Sequence, residues 1–120
     1  MRFRDLLDAN ETQAAEQKAP VVYYLMVGPA TVKIGTSADL IRRIATLRTD
    51  MQYIVAVEPG SYELERQRHR EFRAERITRR EDFRLTERLR SHIEHLQANT
   101  YSDEMIAMYQ DLATRQRARR

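Results

Sequence analysis

Glu65 and His69 stand four residues apart in "SYELERQRHREFRAERI", with Phe72 three further on. On a helix all three project from one side. Two chemistries fit the pair. It can be an exposed Glu–His contact worth roughly 0.2–0.5 kcal/mol, or a carboxylate holding one divalent cation with an imidazole nearby to bind or polarise a water. Lys33 is a second candidate, a lone cation inside the apolar run "TVKIGT". The third is the pair Arg42 and Arg43 in "DLIRRI". On a helix these diverge by about a third of a turn, and Arg43 lies next to the buried edge marked by Leu40, Ile44 and Leu47. A partly buried guanidinium needs an anion, either a carboxylate of its own chain or a phosphate of a ligand. His92 and His95, in "HIEH", fall one residue short of the inverted zinc-protease spacing and read as surface residues.

Positioning these groups requires a hairpin first. "VVYYLMV" and "TVKIGT" are β-branched and aromatic runs separated by the turn signal "GPA". With a three-residue loop, Val27 faces Thr31, Leu25 faces Lys33 and Tyr23 faces Gly35, so Tyr23 and Lys33 share one face of the sheet. A two-residue loop would point them to opposite faces. Val22, Tyr24, Met26, Val32 and Ile34 make the other face an apolar layer. Thr36, Ser37 or Asp39 then caps a helix running to about Thr49. "YIVAVEPG" predicts a third strand, the segment from Ser61 a long helix, and "REDFRL" a kink or short strand before a helix near 86–98. The expected architecture is α/β of the α+β kind, a small three-stranded antiparallel sheet flanked by helices. Residues 1–20 read as an N-terminal helical extension, 21–98 as the core, and 99–120 as an amphipathic helix with the Arg-rich tail "TRQRARR". The stripe Tyr101, Met105, Met108, Tyr109, Leu112 folds back on the core or forms the seam of a homodimer through the 101–112 helix.

A chain of 120 residues with 42% hydrophobic content supports one core. No run approaches the roughly 18 apolar residues of a membrane span, and the N-terminus lacks the apolar core of a signal peptide, so a cytoplasmic protein without a membrane partner is expected. The absence of cysteine removes thiolate nucleophiles and Cys-based zinc sites, leaving oxygen and imidazole ligands for any metal. Of 21 basic residues only Lys18 and Lys33 are lysines. The arginine excess suits phosphate recognition by paired hydrogen bonds, or reflects codon usage in a GC-rich genome.

Taken in order, "VYYL", "VKIG", "DLIRRI", a strand ending in glycine, "ERQRHREF" and "RITRREDFRL" resemble the GIY-YIG nuclease superfamily, closest to the phage and bacterial branch whose second signature reads KIG. The resemblance covers residues 21–97. It implies a GIY-YIG-like fold and endonucleolytic hydrolysis of DNA on a single Mg²⁺ or Mn²⁺. Tyr23 matches the tyrosine that activates or positions the attacking water, and Lys33 stands where other branches carry a second tyrosine, where it would ease phenolate formation and contact phosphate. Arg43, with Arg42 beside it, matches the phosphate-binding arginine, Glu65 the metal ligand and His69 the histidine of this branch. The chain departs from the pattern at Arg68, usually apolar, and at Arg80-Glu81-Asp82-Phe83, where the branch reads G-E-W-F. A catalytically silent module that binds nucleic acid or a host protein is the other reading.

Overall fold

The computed structural model describes residues 20–77 and 81–99, together with Glu104, Ile106, Ala107 and Asp111. Val21–Gly28 forms β1 and Thr31–Ser37 forms β2, paired antiparallel. The loop between them is Pro29 and Ala30, two residues rather than three. A regular hairpin closed that way would set Lys33 opposite Met26. Instead Val27 bulges out of the ladder, so that Met26 pairs with Val32, Leu25 with Lys33 and Tyr23 with Gly35. The extra residue on β1 takes up the residue missing from the loop. Because side chains alternate with period two, Tyr23 and Lys33 therefore share a face as expected.

β3, Ile54–Pro59, pairs with the far edge of β1, and β4, Asp82–Arg84, pairs with Thr31–Lys33 of β2. The sheet thus has four strands in the order β3-β1-β2-β4, correcting the expectation of three. The fourth is the short strand or kink expected at "REDFRL", which joins the sheet instead of standing apart from it. Its one inward residue, Phe83, is fully buried between outward Asp82 and Arg84.

Both faces of β1 are covered, which is why its sequence is continuously apolar. On one face Val21, Tyr23, Leu25, Ile54 and Val57 pack against Leu40 and Ile44 of α1, Leu40–Thr46, a helix capped by the Asp39 carboxylate accepting from Arg42 N at 3.3 Å. On the other, Val22, Tyr24, Val32, Ile34 and Ala56 meet Phe72, Phe83, Leu89, Ile93 and Leu96. These come from the end of α2, Tyr62–Glu71, from β4, and from α3, Glu87–Gln97, whose Thr86 cap accepts from Leu89 N. The helix expected over 61–77 stops at Phe72. Arg88 reaches across from α3 and donates to the free carbonyl of Glu71 at 2.6 Å, while a 3₁₀ turn over Arg73–Glu75 places buried Glu75 on the same guanidinium. An outside donor at the last carbonyls satisfies what another helical turn would have satisfied.

His92 is not a surface residue. The single Tyr24 hydroxyl proton goes to Glu58 Oε2 at 2.6 Å, so His92 Nε2, 2.9 Å from the same oxygen, must carry the proton it donates. Arg68 closes the network with two hydrogen bonds to Glu58 and one to Glu71. The charge of Arg68 is thereby matched where the resembling branch has an apolar residue.

The N-terminal extension, apart from Pro20, and the stripe Tyr101, Met105, Met108, Tyr109, Leu112 lie outside the described residues. Ile106 packs against the α1-side core. Among the described residues no helix is long and apolar enough to cross a membrane.

Candidate active site

β4 covers only the first half of β2. Past Lys33 no strand among the described residues pairs with the edge of β2, where Ile34 N donates to Glu81 O at 3.0 Å and Ile34 O accepts from His69. Side chains from both faces of the sheet converge at that edge. Tyr23 approaches from the α1 face. Its ring lies over Gly35, where a Cβ would sit 2.5 Å from the hydroxyl oxygen, so the phenol reaches across β2 only because residue 35 has no side chain. Glu65 and His69 arrive from α2 on the other face. His69 Nε2 lies 2.9 Å from Ile34 O and 3.6 Å from Glu65 Oε1. A carbonyl only accepts, so Nε2 is protonated and donates to the strand. The imidazole is thus a tie between α2 and β2, and this nitrogen is not offered to a metal or a water.

Lys33 pairs with Glu81, Nζ to Oε2 at 3.3 Å, with both groups partly exposed. Glu81 also sits beside Glu65. Burial pushes the Glu65 carboxyl above the ordinary carboxylate range; the Thr36 hydroxyl opposes the shift, and the neighbouring Glu81 carboxyl adds to it. Thr36 Oγ1 itself is buried without a partner that meets hydrogen-bond geometry. The Tyr23 hydroxyl is pushed up to about 12, first by burial and then by Glu81, while Arg43 pulls it down and Glu65 pushes it up. The expected easing of the phenolate by Lys33 is therefore not what the site provides: the Lys33 charge is taken up by Glu81, and the cation acting on Tyr23 is Arg43.

Arg42 and Arg43 are both exposed and line one hollow of about 250 Å³ with Ser37, Asp39 and Thr46. Arg43 is not the half-buried group its position beside Ile44 suggested. On so short a helix its side chain is exposed, where an external anion can reach it. A larger cleft of about 930 Å³ opens on the other side of Lys33, walled by Leu25, Met26, Leu47, Tyr53 and Asp82.

Four of the expected residues, Tyr23, Lys33, Glu65 and His69, gather at the β2 edge, and Arg43 stands close enough to act on Tyr23. Arg42 is set beside Arg43 and away from the carboxylates. Sequence reasoning missed Glu81, which it met only as part of an altered packing motif. The signal that finds it is β4, since pairing Asp82 with Lys33 places the residue before it at Ile34. Among the described residues no three acidic or histidine side chains form a group that could hold a metal. The donors that do converge are the Glu65 and Glu81 carboxylates beside an orphaned hydroxyl. This all-oxygen set fits Mg²⁺ or Mn²⁺, which are commonly held by one or two carboxylates, with substrate phosphate and water completing the shell. No family model matches the chain, and no curated protein and no solved structure matches it significantly.

Proposed function

We propose that the chain is a divalent-cation-dependent endonuclease of the GIY-YIG type that hydrolyses phosphodiester bonds in DNA. The observation that carries this reading is the convergence of Tyr23, across Gly35 from one face of the sheet, and Glu65, beside His69 from the other, at the β2 edge next to Lys33 and Glu81. Both groups are buried, and apolar packing alone would not bring a phenol and a carboxylate from opposite faces of a sheet to the same strand edge.

Hydrolysis adds water to phosphorus, breaks one P–O ester bond and leaves the proton lost by water on the departing oxygen or in solvent. Tyr23 is a neutral phenol at physiological pH, so its part is to orient the attacking water through its hydroxyl, not to act as a preformed phenolate. Arg43, and Lys33 once phosphate displaces Glu81, face the charge that builds on the phosphoryl oxygens. Glu65, with Glu81, would hold Mg²⁺ or Mn²⁺, which supplies Lewis-acid stabilisation of that charge. His69 keeps Glu65 and β2 in register.

Purified protein with supercoiled plasmid and Mg²⁺ or Mn²⁺ is expected to produce nicked circles. Glu65→Ala should lower the rate on the order of 100-fold or more, the scale of losing one electrostatic stabiliser. No nicking on any DNA form with either cation, or full activity in Glu65→Ala, would refute the proposal and leave the silent binding module.

A further inference from the structure

The charges of α2 are sorted onto two flanks. Phe72 faces the core, Arg68 and Glu71 pair on the flank toward Glu58, and Glu65 and His69 occupy the flank toward the edge of β2. At 100° per residue, Arg66 and Arg70 follow Glu65 and His69 by one step each on α2, bordering the candidate active site, and Arg73 extends the series in the 3₁₀ turn beyond the end of the helix. All three are exposed, and none has a carboxylate partner among the described residues. The nearby acids are engaged elsewhere: Glu71 on Arg68, Glu75 on Arg88, Glu65 within the site. Only exposed Glu63 shares the solvent side of that helix. Arg66 stands over the ring of Tyr62 at 5.7 Å, which stiffens the start of the row.

Three guanidinium groups without a carboxylate partner among the described residues, on one side of α2 and the turn that follows it, offer planar hydrogen-bond forks to the phosphates of a nucleic-acid strand. We infer that the Arg66–Arg70–Arg73 row is a phosphate-backbone track that carries the DNA strand flanking the scissile bond along α2, away from the Glu65 site. This rests on the nuclease reading and adds to it a binding surface distinct from Arg42, Arg43 and Lys33. An unpaired row next to a paired one is what a polyanion partner requires, and an ordinary solvated face would intersperse its charges.

The test is equilibrium binding of a fluorescent 20-base-pair duplex in EDTA, by anisotropy, from 50 to 300 mM salt. For wild type, log Kobs should fall linearly with log salt. In R66Q/R70Q/R73Q the slope should shrink by about 2.7, or roughly 0.9 for each of three phosphates. The charge-keeping triple R66K/R70K/R73K should keep the wild-type slope, and Arg90→Gln on α3 should leave it unchanged. Circular dichroism checks that each variant is folded. A folded glutamine triple with the wild-type slope, in a protein that still binds and nicks DNA, would overturn the track while sparing the nuclease. Absence of salt-dependent binding by the wild type would overturn both.

Discussion

Gly35 explains its own identity once Tyr23 is placed. Its φ is not positive, so glycine is not there for a left-handed backbone. It is there for space: a Cβ would meet the Tyr23 hydroxyl oxygen at 2.5 Å and Cζ at 2.6 Å. Gly35→Ala must therefore swing the phenol off the β2 edge. Nicking is expected to fall on the order of 100-fold, the scale of roughly 1 Å misplacement of a reacting group, with about 1–3 kcal/mol of overpacking cost. Tyr23→Phe, which keeps the ring and loses the hydroxyl, should be equally impaired, and the double variant no worse than either, because both remove one function. Plasmid nicking together with denaturant melts checks this; a fully active Gly35→Ala would remove the Tyr23 hydroxyl from the reaction. At this scale the sequence was most legible where chemistry tracks residue type, as with Tyr23, Lys33, Glu65 and His69. It was least legible where an ordinary residue gains meaning from a neighbour it cannot announce. Glu81 is such a case: only its contact with Lys33 and Glu65 distinguishes it from the chain's other glutamates.

Elements were legible in kind and imprecise at their ends. Two apolar runs around a turn signal specify the hairpin, yet its register depends on a bulge at Val27 that no turn rule specifies. A two-residue loop and a three-residue loop differ by the one residue that Val27 supplies. α2 is shorter than its sequence predicts because Arg88, from a distant segment, caps it at Glu71. The same helices carry a pH dependence that sequence alone hides. His92 was expected in solvent, but burial, helped by Arg68, holds its pKa below the ordinary value, while Glu58 and Glu71 oppose that and His95 adds to it. The folded state therefore takes up this proton less readily than the unfolded chain. Stability from this group is complete above the ordinary value near 6.5 and declines as pH falls toward the lower folded value. Thermal melts at pH 7.5, 6.5 and 5.5 should show a destabilisation on acidification that His92→Gln, which keeps a donor for the Tyr24 oxygen, removes. Glu65 works in the opposite sense, gaining stability as it protonates, so the difference between wild type and His92→Gln is the quantity to read. Identical pH profiles for the two proteins would put His92 outside the linkage.

Across the whole molecule, stability and the candidate site pull against each other. The two cores sit on opposite faces of one sheet, and the polar groups meet where that sheet runs out of neighbours. Ordinary fold requirements account for Phe72, Phe83 and Leu89, none of which needs a carboxylate at the strand edge. Glu65 is buried there beside Glu81, with a raised pKa, so its charged form at neutral pH opposes folding. A residue kept against the interest of the fold is what a functional site predicts. Glu65→Gln should accordingly raise Tm at pH 7.5 on the order of 5 °C, the response of a domain of this size to about 1 kcal/mol, while abolishing nicking. The gain should vanish below about pH 4.5, where an ordinary glutamate is itself neutral. Mn²⁺ separates this from simple repacking. A ligand that binds only the folded state stabilises it by about 2.7 kcal/mol at 100 times its Kd, so Mn²⁺ should raise the Tm of wild type and leave that of Glu65→Gln where it stands. A variant less stable than wild type without metal would mean that Glu65 serves the fold. Equal Mn²⁺ shifts in the two proteins would place the cation somewhere other than Glu65.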